Sequence, residues 1–403
     1  MMQAEITTAR RSTVVGIGVA SALVPLNSTM VALALSDIAR KFHIEKRHAA
    51  ILVTVYLIAM LVLQPISGRI SDVVGNKRAA IVSLVGFGVC SLAAALAPTF
   101  TLLIVARGVQ AIFGSALAPS VQSMLRAVAP PNDRGRVFGM LGSIIGVGAA
   151  AGPLLGGVLV DAAGWPAIFL FNIPVVVLAL VLLIRVTVPL ATRVTPRSHT
   201  GTLTAERLWT RTYAAAVASQ ALSNLGLYSL LLVSPIVLDA RGWSDRTQGL
   251  ALSALTLGLI LMGPSGGRLG DRAGRRRPVM IGQLVALMGV LLLVSFDADV
   301  LPVMLIAALA LFGFGNGFAS PSIMTAALES APVELSGLAA GVLSMSRYVG
   351  SIAASLLLRR YVADDASGAQ VMFVASAVAL ALGVAAASRL PSGNRRESIN
   401  LHV

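Results

Sequence analysis

Apolar residues run along this chain in long blocks, parted by short stretches rich in Gly, Asp and Arg. About 20 apolar residues in a row cross a bilayer as one helix, because a helix satisfies its backbone polar groups inside lipid. The pattern predicts twelve such segments, at 13–35, 49–67, 79–97, 101–121, 138–160, 166–188, 213–236, 248–266, 279–296, 301–322, 336–358 and 370–388. The expected fold is an all-α membrane protein of twelve transmembrane helices. Arg10 and Arg11 precede the first segment as in a signal peptide, but no small-residue cleavage site follows, so an uncleaved helix is expected.

Composition excludes most alternatives. Of the 403 residues, 56% are hydrophobic and 12% charged, where soluble domains carry about 25% charged residues. No soluble enzyme or nucleic-acid domain hides that much apolar surface. The single cysteine, Cys90, forms no internal disulfide and reads as a small buried hydrophobe. His43, His48, His199 and His402 lie outside the apolar segments, so no metal site is expected.

The net charge of +14 fits topology. With the amino terminus in the cytoplasm, 21 of the 31 basic residues fall on the cytoplasmic side and 8 on the other. This positive-inside bias places both termini in the cytoplasm of a multi-pass cytoplasmic (inner) membrane protein. Anionic lipid accounts for the basic surplus, and no nucleic-acid partner is expected. Trp165, Trp209 and Trp243 sit beside segment ends, as interfacial anchors do.

The longest polar linker, 189–212, carries Pro196 and Gly201 and divides the chain into a six-helix bundle at 1–188 and another at 213–403 with a short tail. The halves repeat. The loop Gly68-Arg69-Ile70-Ser71-Asp72-Val73-Val74-Gly75-Asn76-Lys77-Arg78 returns as Gly267-Arg268-Leu269-Gly270-Asp271-Arg272-Ala273-Gly274-Arg275-Arg276-Arg277, 199 residues on. Phe113-Gly114 returns as Phe314-Gly315, and Gly139 and Gly148 as Gly341 and Gly350. Parallel repeats of this kind build transporters that rock around a midplane site.

On these residues the chain resembles the major facilitator superfamily, whose mark is the doubled G-x-x-x-D-x-x-G-[basic]-[basic] loop. Gly139, Gly148, Gly152, Pro153, Gly156 and Gly157 complete G-x8-G-x3-G-P-x2-G-G. That pattern, followed by Gly164-Trp165 and Ile168-Phe169-Leu170-Phe171-Asn172-Ile173-Pro174, is similar to the drug/proton antiporters among them. The resemblance implies the major facilitator fold and secondary active transport without a cofactor, driven by a proton gradient or membrane potential. It makes the two loops, with Gly68, Asp72, Gly75, Lys77 and Arg78 and with Gly267, Asp271, Gly274 and Arg275, latches favouring one access state; read alone, they are basic loops that fix topology. Gly148, Gly152 and Gly156 share one helix face, and Pro153 favours a kink beside Gly157, which makes a tight bent seam that the resemblance places near the interface between the halves.

Polar residues at membrane depth are costly and are functional candidates by default. Arg107 lies with Gln110 and Gly114 on one face and matches the family's R-x-x-Q-G-x-G pattern, with Ala111 and Phe113 in place of glycines. A structural arginine bonded to backbone remains the alternative. Gln220, Asn224 and Tyr228 share a face of the seventh segment; Asn27, Tyr56, Asn316 and Arg347 lie in the first, second, tenth and eleventh. The resemblance lines the substrate cavity with segments one, four, seven and ten, so these residues with Met30 and Phe113 are the candidate lining; interhelical packing explains any one of them equally well.

Where the related exporters carry an aspartate in the first helix, this chain has Asn27, and an amide does not titrate. All 17 acidic residues fall in loops, tails or segment ends. Three readings follow: peripheral proton carriage by Asp37 or Asp72, an anionic substrate paired with Arg107, or an uncoupled facilitator. The leading function is export of small amphiphilic compounds by a monomer in the lipid bilayer. The rivals are a transporter of one metabolite without proton antiport and a non-transporting membrane sensor. No nucleophile–base pair or phosphate loop suggests an enzyme.

Overall fold

The computed structural model describes residues 2–49, 51–185, 208–239, 242–243, 245–294, 302–362 and 368–392. The predicted linker as far as residue 207, with Pro196, His199 and Gly201, lies outside them, as does His402. The regular structure among the described residues is helical: α1 (Met2–Lys41), α2 (Lys46–Ala49), α3 (Ile51–Val74), α4 (Asn76–Ala95), α5 (Phe100–Val128), α6 (Arg134–Ala163), α7 (Pro166–Leu170), α8 (Asn172–Ile184), α9 (Arg211–Asp239), α10 (Asp245–Ala273), α11 (Arg276–Val294), α12 (Pro302–Ser330), α13 (Ser336–Tyr361) and α14 (Ala369–Ala387), with one short 3-10 turn at Val333–Leu335.

Among the described residues, nine helical stretches are long and apolar enough to cross a membrane. The segments predicted at 13–35, 138–160 and 248–266 lie on α1, α6 and α10, where some side chains, including that of Pro153, fall outside the description. The sixth predicted segment is broken at Phe171 between α7 and α8. Pro174 has no N–H to bond back to the Leu170 carbonyl, which explains the interruption.

The helices invert the soluble pattern. Val62, Val82, Val89 and Leu382 point outward, while Ser91, Gln110, Asn172 and Gln283 are buried. This distribution suits a chain whose outer faces meet lipid and whose cores satisfy their own polar groups.

The chain forms two compact units. The first holds residues 1–128, 144–203 and 333–345; the second holds 129–143, 204–332 and 346–403. In the first, α5 packs on α3 and α4, α8 packs on α1 and α4, and α1 touches α5. In the second, α12 packs on α10 and α11, α14 packs on α9 and α11, and α9 touches α12. The two schemes coincide once each helix is replaced by its repeat, so the duplication read from the loops extends to the packing. In-helix prolines repeat too: Pro65 in α3 and Pro264 in α10, Pro119 in α5 and Pro321 in α12.

Small residues set the spacing. In the second unit a Cβ on Gly317 would press on Gly258 and Leu259, and one on Gly289 would press on Ala308. In the first, Gly341 lies against the Gln64 backbone and Gly337 against Gly68. Helix packing in lipid gains from such approach because dispersion and short polar contacts replace the missing hydrophobic drive.

Candidate functional site

Arg107 stands on the face of α5 shared with Gln110 and Gly114, one and two helical turns along, and is 1% exposed. Its Nη1 donates to Gln110 Oε1 at 2.5 Å. Its guanidinium carbon sits 3.9 Å from the centre of the Tyr56 ring, a cation–π contact from α3. Gly114 makes this possible, since a Cβ there would meet the Tyr56 hydroxyl at 3.1 Å and Met60 at 2.7 Å.

The network continues through neutral groups. Gln110 Nε2 donates to Ser91 Oγ at 2.6 Å. Asn172 Nδ2 donates to Asn27 Oδ1 at 3.0 Å and lies 3.1 Å from Ser91 Oγ. Asn27 Nδ2 reaches Gln110 Oε1 at 3.4 Å. Helices α1, α3, α4, α5 and α8 therefore meet in one network, in which the guanidinium itself touches Gln110 and the Tyr56 ring. Among the described residues no carboxylate pairs with it. Arg107 Nε and Asn172 Oδ1 have no hydrogen-bond partner among them.

Asn27, Tyr56, Arg107 and Gln110 are thus brought together, with Met30 buried in the neighbouring apolar cluster beside Leu26 and Leu103. Phe113 is placed elsewhere: its ring covers Gly86 of α4. Six residues of α-helix turn it well off the Arg107 face, so it is not brought to the network.

The residues proposed from the second half lie on α9, α12 and α13, where Arg347 has Tyr348 and Tyr228 as neighbours. Gln220 and Asn224 are buried, and Asn224 Nδ2 donates to the Gln220 backbone carbonyl at 3.0 Å. Gln220 Oε1 has no hydrogen-bond partner among the described residues. Tyr228 is exposed, Asn316 is buried on α12, and Arg347 is half-buried on α13.

The loop carboxylates have specific partners. Asp72 accepts from the backbone N–H groups of Gly337 at 2.6 Å and Leu338 at 3.0 Å. Asp271 accepts from those of Gly135 at 2.8 Å and Arg136 at 2.9 Å. Each carboxylate thus holds the N-terminus of a helix from the other sequence half, α13 or α6, where orphan donors and the helix dipole favour an anion. Gly75 and Gly274 have φ of +98° and +83°, which an L side chain rarely adopts, and they turn the chain out of α3 and α10. Lys77 Nζ donates to the Ile184 carbonyl at 2.8 Å, a cation at the C-terminal end of α8.

The two loops differ in one respect. In the second, Arg275 Nη1 donates to Asp271 at 2.7 Å and Nη2 to Glu329 at 3.1 Å, and Arg134 stands 3.7 Å from Glu329. Burial works against the Arg275 charge, but Glu329 and then Asp271 outweigh it and hold its pKa above the ordinary value. A cleft of about 260 Å³ opens beside this cluster. In the first repeat Asn76 stands where Arg275 would be. Replacing Glu329 with glutamine should lower the unfolding free energy by about 1–3 kcal/mol, since a charge-assisted bond to a mostly buried arginine is lost. A denaturation midpoint equal to wild type would contradict this.

In α6, Gly148 and Gly152 close on α1: a Cβ on Gly148 would meet Ala22 at 2.8 Å, and one on Gly152 would overlap the Thr29 side chain. Gly156 is buried, while Gly157 faces open space and takes no part in the seam. Asp37 pairs with Arg40 near the end of α1. Neither Asp37 nor Asp72 joins the Arg107 network. Asn172 and Ser91 do join it, and sequence reasoning did not single them out as site residues; an amide within an apolar run was a signal for Asn172, and nothing marked Ser91.

The family model of the Major Facilitator Superfamily matches this chain over residues 17–355 and again over 216–400. The chain is 29% identical over 386 residues to an uncharacterized MFS-type transporter, YvkA, of Bacillus subtilis, covering 83% of this chain and 87% of that one. It is 25% identical over 394 residues to the multidrug resistance protein Stp of Mycobacterium tuberculosis, covering 84% and 73%. Its fold matches the crystal structure of the human organic anion transporter MFSD10 with a TM-score of 0.71 at 16% identity, over 94% of this chain and 99% of that one. With its repeated bundle, doubled loop and apolar helices, the chain belongs to the Major Facilitator Superfamily.

Proposed function

We propose that the protein exports small amphiphilic compounds across the cytoplasmic membrane by alternating access, as a monomer of twelve spans with both termini in the cytoplasm. The observation that carries this reading is the twinned contact of Asp72 with α13 and Asp271 with α6. A pair of equivalent carboxylate-to-helix bonds, one per repeat, suits a molecule that must hold one conformation and release it. The likeness to Stp, a multidrug resistance protein, supports export of drug-like compounds.

Coupling to protons is part of the proposal and is assigned to Asp72. Among the described residues the network around Arg107 holds no carboxylate, whereas both Asp72 oxygens are acceptors for backbone N–H groups. A protonated carboxyl gives up acceptor capacity, so proton uptake and release of α13 are linked. The test uses ethidium as probe in everted membrane vesicles. Transport should rise on imposing a proton gradient, and Asp72→Asn should reduce the stimulated rate by about tenfold or more. Transport indifferent to the gradient would remove the proton coupling, and absence of ethidium transport together with failure across a wider drug panel would remove the export reading.

A further inference from the structure

The charge around Arg107 is unbalanced. In the second unit, the arginines Arg134 and Arg275 face the carboxylates Asp271 and Glu329. In the first, the guanidinium touches Gln110 Oε1 on its own helix and the Tyr56 ring from α3, Asn27 from α1 donates to that same Gln110 oxygen, and Ser91 from α4 and Asn172 from α8 join through Gln110 and Asn27. All are neutral. Asp37 is engaged with Arg40, and Asp72 with two backbone amides. The guanidinium is buried, the Tyr56 ring covers one face, and its Nε proton has no acceptor among the described residues. Among the described residues this buried cation has an idle donor and no counter-charge, and so lacks the compensation that buried charges ordinarily have.

We infer that Arg107 is the anchor of a small-anion site, with Arg107 and the Asn27 amide as donors to one monovalent anion. The anion is either a carboxylate carried by the transported compound or a free halide. The chain's departure at Asn27 is coherent with this: an aspartate there would supply the counter-charge from within, and the amide leaves it to the ligand. The carboxylate source rests on the export reading; the halide source does not.

The experiment measures the unfolding midpoint of the purified full chain in detergent and low-salt zwitterionic buffer, titrated separately with potassium bromide and potassium benzoate. A bound anion raises the midpoint saturably, by on the order of 3 °C at a hundredfold excess over Kd. Asn27→Asp, which places a carboxylate within reach of the guanidinium, should abolish the saturable rise; Arg107→Gln should abolish it as well. If Arg107→Gln does not fold, Asn27→Asp decides. A rise with benzoate alone assigns the site to a substrate carboxylate, and a rise with both assigns it to a free halide. No saturable rise with either salt, or a rise of equal size in Asn27→Asp, overturns the inference. The readout needs no flux, so a protein that binds anion yet fails to export ethidium or any drug of the panel refutes the transport reading and leaves the site standing.

Discussion

Arg107→Ala is expected to abolish export while the protein still inserts into the membrane. The substitution removes the charge, the bond to Gln110 Oε1 and the contact with Tyr56 in one step. An arginine at this depth costs about 2.5–3.5 kcal/mol to insert, so a chain that keeps it without function carries a needless penalty. Loss of at least about a hundredfold in initial rate is expected, equivalent to about 2.7 kcal/mol. Membrane yield should hold or rise, because the alanine helix inserts more readily. Normal efflux by Arg107→Ala would make the guanidinium a packing element and return the network around Asn27 and Asn172 to structure alone.

The second large effect is expected at the α6–α1 seam. A Cβ at Gly152 would overlap the Thr29 side chain and lie 3.1 Å from the Leu26 carbonyl oxygen. Thr29 is tied to its own helix by bonds to the Pro25 and Leu26 carbonyls, at 3.0 and 2.9 Å, so it has no free direction in which to yield. Gly152→Leu must therefore push α6 off α1, at a cost of about 1–3 kcal/mol or more from overpacking. Turnover should fall steeply with the midpoint of unfolding. Gly157→Leu is the internal control: nothing lies within 4 Å of the place a Cβ would take there, and stability should be nearly unchanged. Equal effects at the two positions would refute the seam.

Much of this architecture was legible in the chain. The apolar blocks located the helices because lipid leaves the backbone few alternatives. The doubled loop revealed the repeat, and Gly75 and Gly274 within it proved to have positive φ. Arg107 and Gln110 were found together because helical spacing fixes which side chains share a face. The same arithmetic turns Phe113 off that face, toward Gly86. What escaped was whatever depends on meetings between helices. Ser91 is one serine among many until α4 is laid against α5. Glu329 and Arg134 form a cluster only when the ends of α12 and α6 meet beside Arg275, and no local pattern in either segment announces it. The backbone partners of Asp72 and Asp271 are likewise remote in sequence, at Gly337 and Gly135, and a backbone N–H carries no residue identity to read.

The most direct test of the central claim, that the Arg107 network lies on the path of the transported compound, is flux in liposomes. Initial rates of ethidium and fluorescein transport would be compared for wild type, Arg107→Ala and Asn27→Asp reconstituted at equal density. The account predicts measurable wild-type flux, its loss in Arg107→Ala, and a change in the ratio of anionic to cationic dye transport in Asn27→Asp. Wild-type rates for both dyes in both variants would contradict it.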